Sequence, residues 1–253
     1  AVLADRAAAV TADLVVTSLL PASALADDEA AVAWKKIVDY AHGKRALVAA
    51  RIDDGHVVAV HCWRKLHGDL GKGWMAPREE VDAFVRAQFD TFDVQWFGVD
   101  PSPARDDETE HEYWATLTDE WHRDFRERVL IWATGTPGGV GGNAVLFDMR
   151  TSTPGGKERN RLFTEQAEIT ASEIDGSDTH PLLTHDGDSI LRMHVHNARR
   201  RPNQWGVSLS KETRDSSKLV DMAVAMVGAR LGRRLVLNSG KARKKRTGRA
   251  SFL

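Results

Sequence analysis

Three aspartates in this chain stand where a carboxylate could do chemistry. Asp100 ends the run Val94-Gln95-Trp96-Phe97-Gly98-Val99-Asp100, and Pro101, which brings no N–H to a ladder, follows it. Such a run reads as a buried strand. In an open α/β sheet ligands gather at the carboxyl ends of the strands, so an acid placed there is aimed at a site. Asp39 stands in the shorter run Lys36-Ile37-Val38-Asp39-Tyr40, ahead of a turn containing Gly43. Asp221 lies among Leu219, Val220, Ala223, Val224 and Met226 in what reads as the last helix, where a carboxylate must be solvated, paired or metal-bound. Brought together, the three would offer hard oxygen ligands suited to Mg²⁺ or Mn²⁺. Two such ions activate a water and steady the leaving oxygen of a phosphodiester. The plainer alternative makes Asp39 and Asp100-Pro101-Ser102-Pro103 turn chemistry and puts Asp221 on the wet face of an amphipathic helix.

Cations stand ready for a polyanion. Arg199-Arg200-Arg201, followed by Asn203, Gln204 and Trp205, reads as a phosphate-facing cluster, with Lys211 and Lys218 downstream; the alternative is a solvated basic loop. Net charge is only -1, but from Arg230 onward the chain holds nine Lys and Arg and no acid, whereas Asp106, Asp107, Glu108, Glu110 and Glu112 make an acidic middle. A polyanionic partner is therefore more plausible than the net charge suggests. His185, Asp186, Asp188, His194 and His196 resemble a metal cluster on paper. On a helix, however, His194 and His196 point about 200° apart and do not share one ion, so they read as surface or DNA-proximal residues. The single cysteine, Cys62, excludes an intramolecular disulfide and suits a reducing cytoplasm. No G-x-x-x-x-G-K-[ST] is present, so no ATPase motor is expected in this stretch.

The elements that must position these groups follow from periodicity. Lys36–Tyr40, Ala46–Ile52 and His56–Trp63 read as three strands of an antiparallel meander, with Asp53-Asp54-Gly55 as a hairpin turn. After a Gly-rich loop over 68–74, Pro77 opens a helix whose Val81, Phe84, Val85 and Phe89 keep helical spacing. The strand into Asp100 comes next, then an amphipathic helix with Tyr113, Trp114, Leu117 and Trp121. Val129–Trp132 reads as a short fifth strand and 134–142 as a flexible loop. Helices are expected from near Gly156 and over Ile190–Ala198, a strand over Trp205–Ser210, and a final helix from about Ser216 to Leu231. The order implies a mixed sheet with an antiparallel edge. Residues 1–33 read as an Ala-rich helical or linking segment, 34–232 as the domain, and 233–253 as a flexible basic tail. Leu14–Leu20 faintly imitates a secretory segment, but Asp5 and Asp13 precede it; no run approaches the roughly 18 apolar residues of a membrane span. The first residue is not Met, which suggests a piece of a longer chain.

Four stretches give the chain a family likeness. Ala46–Trp63, the helix from Pro77 with the strand into Asp100-Pro101, Leu183–Asp188 leading to Asn197–Pro202, and Val207–Ala229 resemble the carboxyl-terminal nuclease domain of tailed-phage terminase large subunits. The resemblance implies an α/β, RNase H-like fold: a mixed central sheet of three antiparallel strands plus parallel ones, flanked by helices. It implies two Mg²⁺ or Mn²⁺ ions held by Asp39, Asp100 and Asp221, and cleavage of double-stranded concatemeric viral DNA in the host cytoplasm. It also implies partners: an ATPase motor domain or subunit, a small terminase subunit and a portal. Another RNase H-like nuclease of resolvase or recombinase type, or a non-catalytic DNA-binding or assembly module, are the alternatives.

Overall fold

Apolar runs punctuated by turn residues set the sheet. The computed structural model describes residues 36–42, 46–64, 74–100, 108–176, 182–213 and 216–242, and for 36–42 and 108–113 the backbone alone. The readings of residues 1–33 and of the basic end past 242 lie outside these. Strands β1 (Lys36–His42), β2 (Ala46–Arg51) and β3 (Val57–Cys62) form the expected antiparallel meander. The β2–β3 turn is closed by an Arg51–Asp54 ion pair and by Gly55, whose φ of 75° suits a residue without a Cβ. Strand β4 (Asp93–Asp100) joins the free side of β1 in parallel, giving the order β3-β2-β1-β4. The protein is thus α/β with a mixed sheet.

Alternation along the strands separates two cores, one on each face. Leu47, Ala49, Phe97 and Val99 pack against α1 (Arg78–Thr91) and α2 (Glu108–Phe125), where Phe89 stacks on Phe125 with ring centroids 3.7 Å apart. Ala46, Val48, Ala50 and Trp96 face α3 (Gly156–Asp175), α4 (Ser189–Asn197) and α5 (Asp221–Asn238). Each fully buried large side chain contributes about 1.5–3 kcal/mol of transfer free energy, so both faces are needed. Helix α5 lies closest: a Cβ on Gly232 would come within 2.2 Å of the Trp96 indole and one on Gly98 within 2.1 Å, so two glycines bracket that ring. A separate hairpin, β5 (Arg199–Asn203) and β6 (Gly206–Ser210), packs on α3 through Asn203 to the Thr164 hydroxyl at 2.9 Å and the Val207 N–H to Glu168 at 2.8 Å.

The structure corrects several boundaries. Val129–Trp132 is not a strand. Residues 144–147 lie beside β4 in its place, with a parallel bridge between Leu146 and Val99 and bonds of 2.7 Å from the Val99 N–H to Val145 and from the Phe147 N–H to Val99. The loop over 134–142 is pinned at its base by reciprocal 3.0 Å bonds between Thr134 and Asn143. Arg199–Arg201 belong to a strand. The last helix begins at Asp221, not near Ser216, and runs to Asn238, past the expected domain boundary at 232. Arg230 and the first two arginines of the expected tail are tied to the fold. Arg230 is buried against Glu173 and the Gly55 carbonyl, Arg233 donates to the carbonyls of Arg51, Ile52 and Asp53, and Arg234 donates to Leu162.

Candidate active site

Helix α5 runs in a direction that carries Asp221 towards Asp100. Its carboxyl half is tied to the β2–β3 turn by Arg230 and Arg233, and that turn lies at the end of the sheet where β1 and β4 begin, since Arg51 is level with Ile37 and Asp93 with Lys36. Gly232 sits on Trp96. From Gly232 back to Asp221 the helix rises roughly 16 Å, and from Trp96 to Asp100 the strand advances about 13 Å. Both aspartates therefore stand at the carboxyl ends of β1 and β4. Asp100, four residues beyond Trp96, shares its face, the face that α5 covers. Asp100 is 4% exposed and Asp221 8%, and the Asp221 Oδ2 is buried without a hydrogen-bond partner.

As the first residue of α5, Asp221 meets physics different from that of a mid-helix acid. The helix amino terminus presents unpaired N–H groups and a partial positive charge, which favours an anion there. Burial without a partner works against it. A bound cation would resolve the conflict, and two carboxylates supply the oxygen chemistry that hard divalent ions take.

A fourth acid stands close by that the sequence reading missed. Asp148, 4% exposed, follows residues 144–147, which lie beside β4. Arg150 holds it, with Nε at 3.1 Å from both oxygens, Nη2 at 2.8 Å and the backbone N–H at 2.9 Å. Arg159, fixed by the carbonyls of Asp148 and Pro154, faces the same corner: burial pushes its pKa below the usual value, and the Asp148 and Asp100 carboxylates oppose that shift. The signal was present in Val145-Leu146-Phe147-Asp148, an apolar run ending on an acid like the run into Asp100.

Asp39 falls differently. It lies in the middle of β1, level with Phe97 and Ala49, whereas the β1 residue level with Asp100 is His42; Asp39 thus belongs to the alternate set of β1 positions. Among the described residues no three His, Cys, Asp or Glu side chains gather as a group able to hold a metal ion. The His-Asp segment serves as scaffold. The Asp186 Oδ2 accepts the Ala59 N–H at 2.8 Å on the edge strand, and Asp188 caps α4 by accepting the Leu191 N–H at 2.7 Å. His194 is not a surface residue: it is 1% exposed, and its Nδ1 accepts the Met222 N–H at 3.0 Å. Burial pushes its pKa down, against the pull of Asp221 and Asp188, with Arg64 and Lys211 adding to the fall. Lys211 and Arg64 thus stand within electrostatic reach of the Asp221 corner. Arg199–Arg201 are exposed on β5, while Lys218 pairs with Glu212 at 3.2 Å.

Two relatives match most of this chain. The Gene 13 protein of Mycobacterium phage L5 is 33% identical over 204 residues, 79% of this chain and 29% of that protein. The Gene 13 protein of Mycobacterium phage D29 is 34% identical over 201 residues, 78% of this chain and 28% of that protein. Both relatives are bacteriophage proteins. The chain spans under a third of their length. No protein-family model matches the chain, and no solved structure matches it. No helix among the described residues is long and apolar enough to cross a membrane.

Proposed function

We propose that residues 36–238 form an RNase H-like, metal-dependent endonuclease, the nuclease part of a tailed-phage terminase large subunit that cuts double-stranded viral DNA. The observation that carries this reading is the buried Asp221 carboxylate with an unpartnered oxygen, set at the amino end of α5 and at the same end of the sheet as Asp100. The strand order β3-β2-β1-β4, antiparallel except for the parallel β1–β4 pair, supports it. So does the phage origin of both relatives, whose greater length leaves room for an ATPase motor. A small terminase subunit, a portal and the host cytoplasm belong to the same reading.

Asp100 and Asp221 would hold the Mg²⁺ or Mn²⁺ ions, whereas Asp39, the third ligand of the family pattern, is level with Phe97 in the alternate set of β1 positions and does not fit with that pair. Such ions supply an activated water and charge stabilisation on the leaving oxygen of a phosphodiester. The chain's own residues do the rest. Lys211, Arg64 and the exposed Arg200 and Arg201 draw the DNA backbone to the sheet end, and Arg159 balances the charge of Asp100 and Asp148. Asp100→Asn and Asp221→Asn keep size while removing a ligand charge. Each should lower Mg²⁺- or Mn²⁺-dependent cleavage of linear duplex DNA by about a hundredfold or more with an unchanged circular-dichroism spectrum. Asp39→Asn in the same assay decides whether the β1 acid takes part. Full activity in Asp221→Asn would sink the reading and favour a DNA-binding module.

A further inference from the structure

Side chains of helix α4 grip the chain on both sides of Asp221. The Asn197 Nδ2 donates to the Leu219 carbonyl at 3.1 Å, and the Met222 N–H donates to the His194 Nδ1 at 3.0 Å. The second bond supplies what a helix start needs. The first N–H groups of α5 have no intrahelical acceptor, Val220 at the cap gives no side-chain bond, and the imidazole of another helix takes that role. Accepting through Nδ1 requires a neutral ring with its proton on Nε2. The grip is anchored in turn. Asp188 caps α4, the Asp188 N–H is held by Asp186 at 3.1 Å, and Asp186 is held by the Ala59 N–H of β3.

We propose that His194 and Asn197 are positioning residues that fix the backbone of residues 219–222 and so aim the Asp221 carboxylate at its cation. The inference rests on Asp221 being a metal ligand. It also assigns a purpose to the His-Asp segment, which holds α4 at the distance the site needs instead of binding metal itself. Outer groups that orient a ligand are typically worth 10- to 100-fold in metal affinity.

The chemistry of the replacement side chains makes the test specific. An Asn oxygen lies near the place of the His Nδ1, whereas a Gln oxygen lies near that of Nε2. Mn²⁺ affinity is measured by calorimetry on the intact chain without DNA, alongside the thermal midpoint with and without Mn²⁺. His194→Asn should keep the wild-type affinity within about threefold, while His194→Gln should lose about tenfold or more. Asn197→Asp, at a partly exposed position, should lose affinity as well, because a carboxylate cannot donate to Leu219; this variant decides the matter if His194→Gln does not fold. Equal affinity in all the proteins, or equal loss in His194→Asn and His194→Gln, overturns the positioning role and leaves the nuclease reading intact. A wild-type chain that takes up no divalent ion overturns the nuclease reading, and the inference goes with it.

Discussion

Single residues in this fold carry charges in places where their surroundings decide the protonation state. His56 is buried beside the β2–β3 turn, with its Nδ1 2.9 Å from the Thr184 hydroxyl. Burial pushes its pKa below the ordinary 6.5, Arg51 and His185 add to the fall, and Asp54 and Asp186 oppose it. For such a group the unfolded chain binds the proton first as pH falls, so its stability contribution is full above 6.5 and is lost through the depressed folded value. Asp186 acts at lower pH. Burial pushes its carboxyl up, but bonds from His185 and the N–H groups of Ala59 and Asp188 outweigh that, and its contribution goes as pH drops below 3.8. The thermal midpoint should therefore hold above pH 7 and begin to fall between pH 6.5 and 5. In His56→Gln the fall over that window should be smaller. A midpoint flat from pH 7.5 to 5 in the wild-type protein would contradict this account.

At the level of elements, the clearest lesson concerns Gly232. In an exposed helix, Gly→Ala usually stabilises by up to about 1 kcal/mol. Here the new Cβ would meet an indole already held between Gly98 and Gly232, so Gly232→Ala should cost about 1–3 kcal/mol in denaturant unfolding, reversing the usual sign. A stabilised variant would mean that Trp96 has room to move. The same glycine lies inside the helix, one residue past the end expected at Leu231, and serves close approach. The meander, α1 and the strand into Asp100 were legible because each couples a clear period to a turn signal. The segment 144–147 beside β4 was not, because it and 129–132 are both short apolar runs and only the partner chooses between them. Arg230, Arg233 and Arg234 look like tail charge until backbone carbonyls from the β2–β3 turn and α3 appear beside them. At the site, Asp100 and Asp221 were legible as misplaced acids. Asp148 and His194 were not, since nothing in their spacing tells which segment lies across from them.

For the molecule as a whole, the basic surface is smaller than the sequence suggests, because Arg230 is buried and Arg233 and Arg234 are half-buried against backbone carbonyls. Under the proposed function, DNA contact would fall to Arg200 and Arg201, to Lys211, and to the tail. Ala242 packs against the core, so the informative truncation removes residues 243–253, which carry Arg243, Lys244, Lys245, Arg246 and Arg249. That truncation should leave the thermal midpoint unchanged and weaken duplex binding at low salt, while Arg200→Ala with Arg201→Ala should flatten the salt dependence by about one unit of slope per lost phosphate contact. Higher affinity after truncation would instead point to a tail that docks on the acidic α2. The place of α5 has a consequence for synthesis. Trp96, Val48 and Ala50 on one face of the sheet wait for a cover that is made after all four of its strands, so the nascent chain carries a half-dressed sheet until Asn238 has left the exit tunnel. Folding of this sheet is therefore completed only once α5 has emerged, and ribosome-bound chains stalled before α5 are the ones that chaperones should hold.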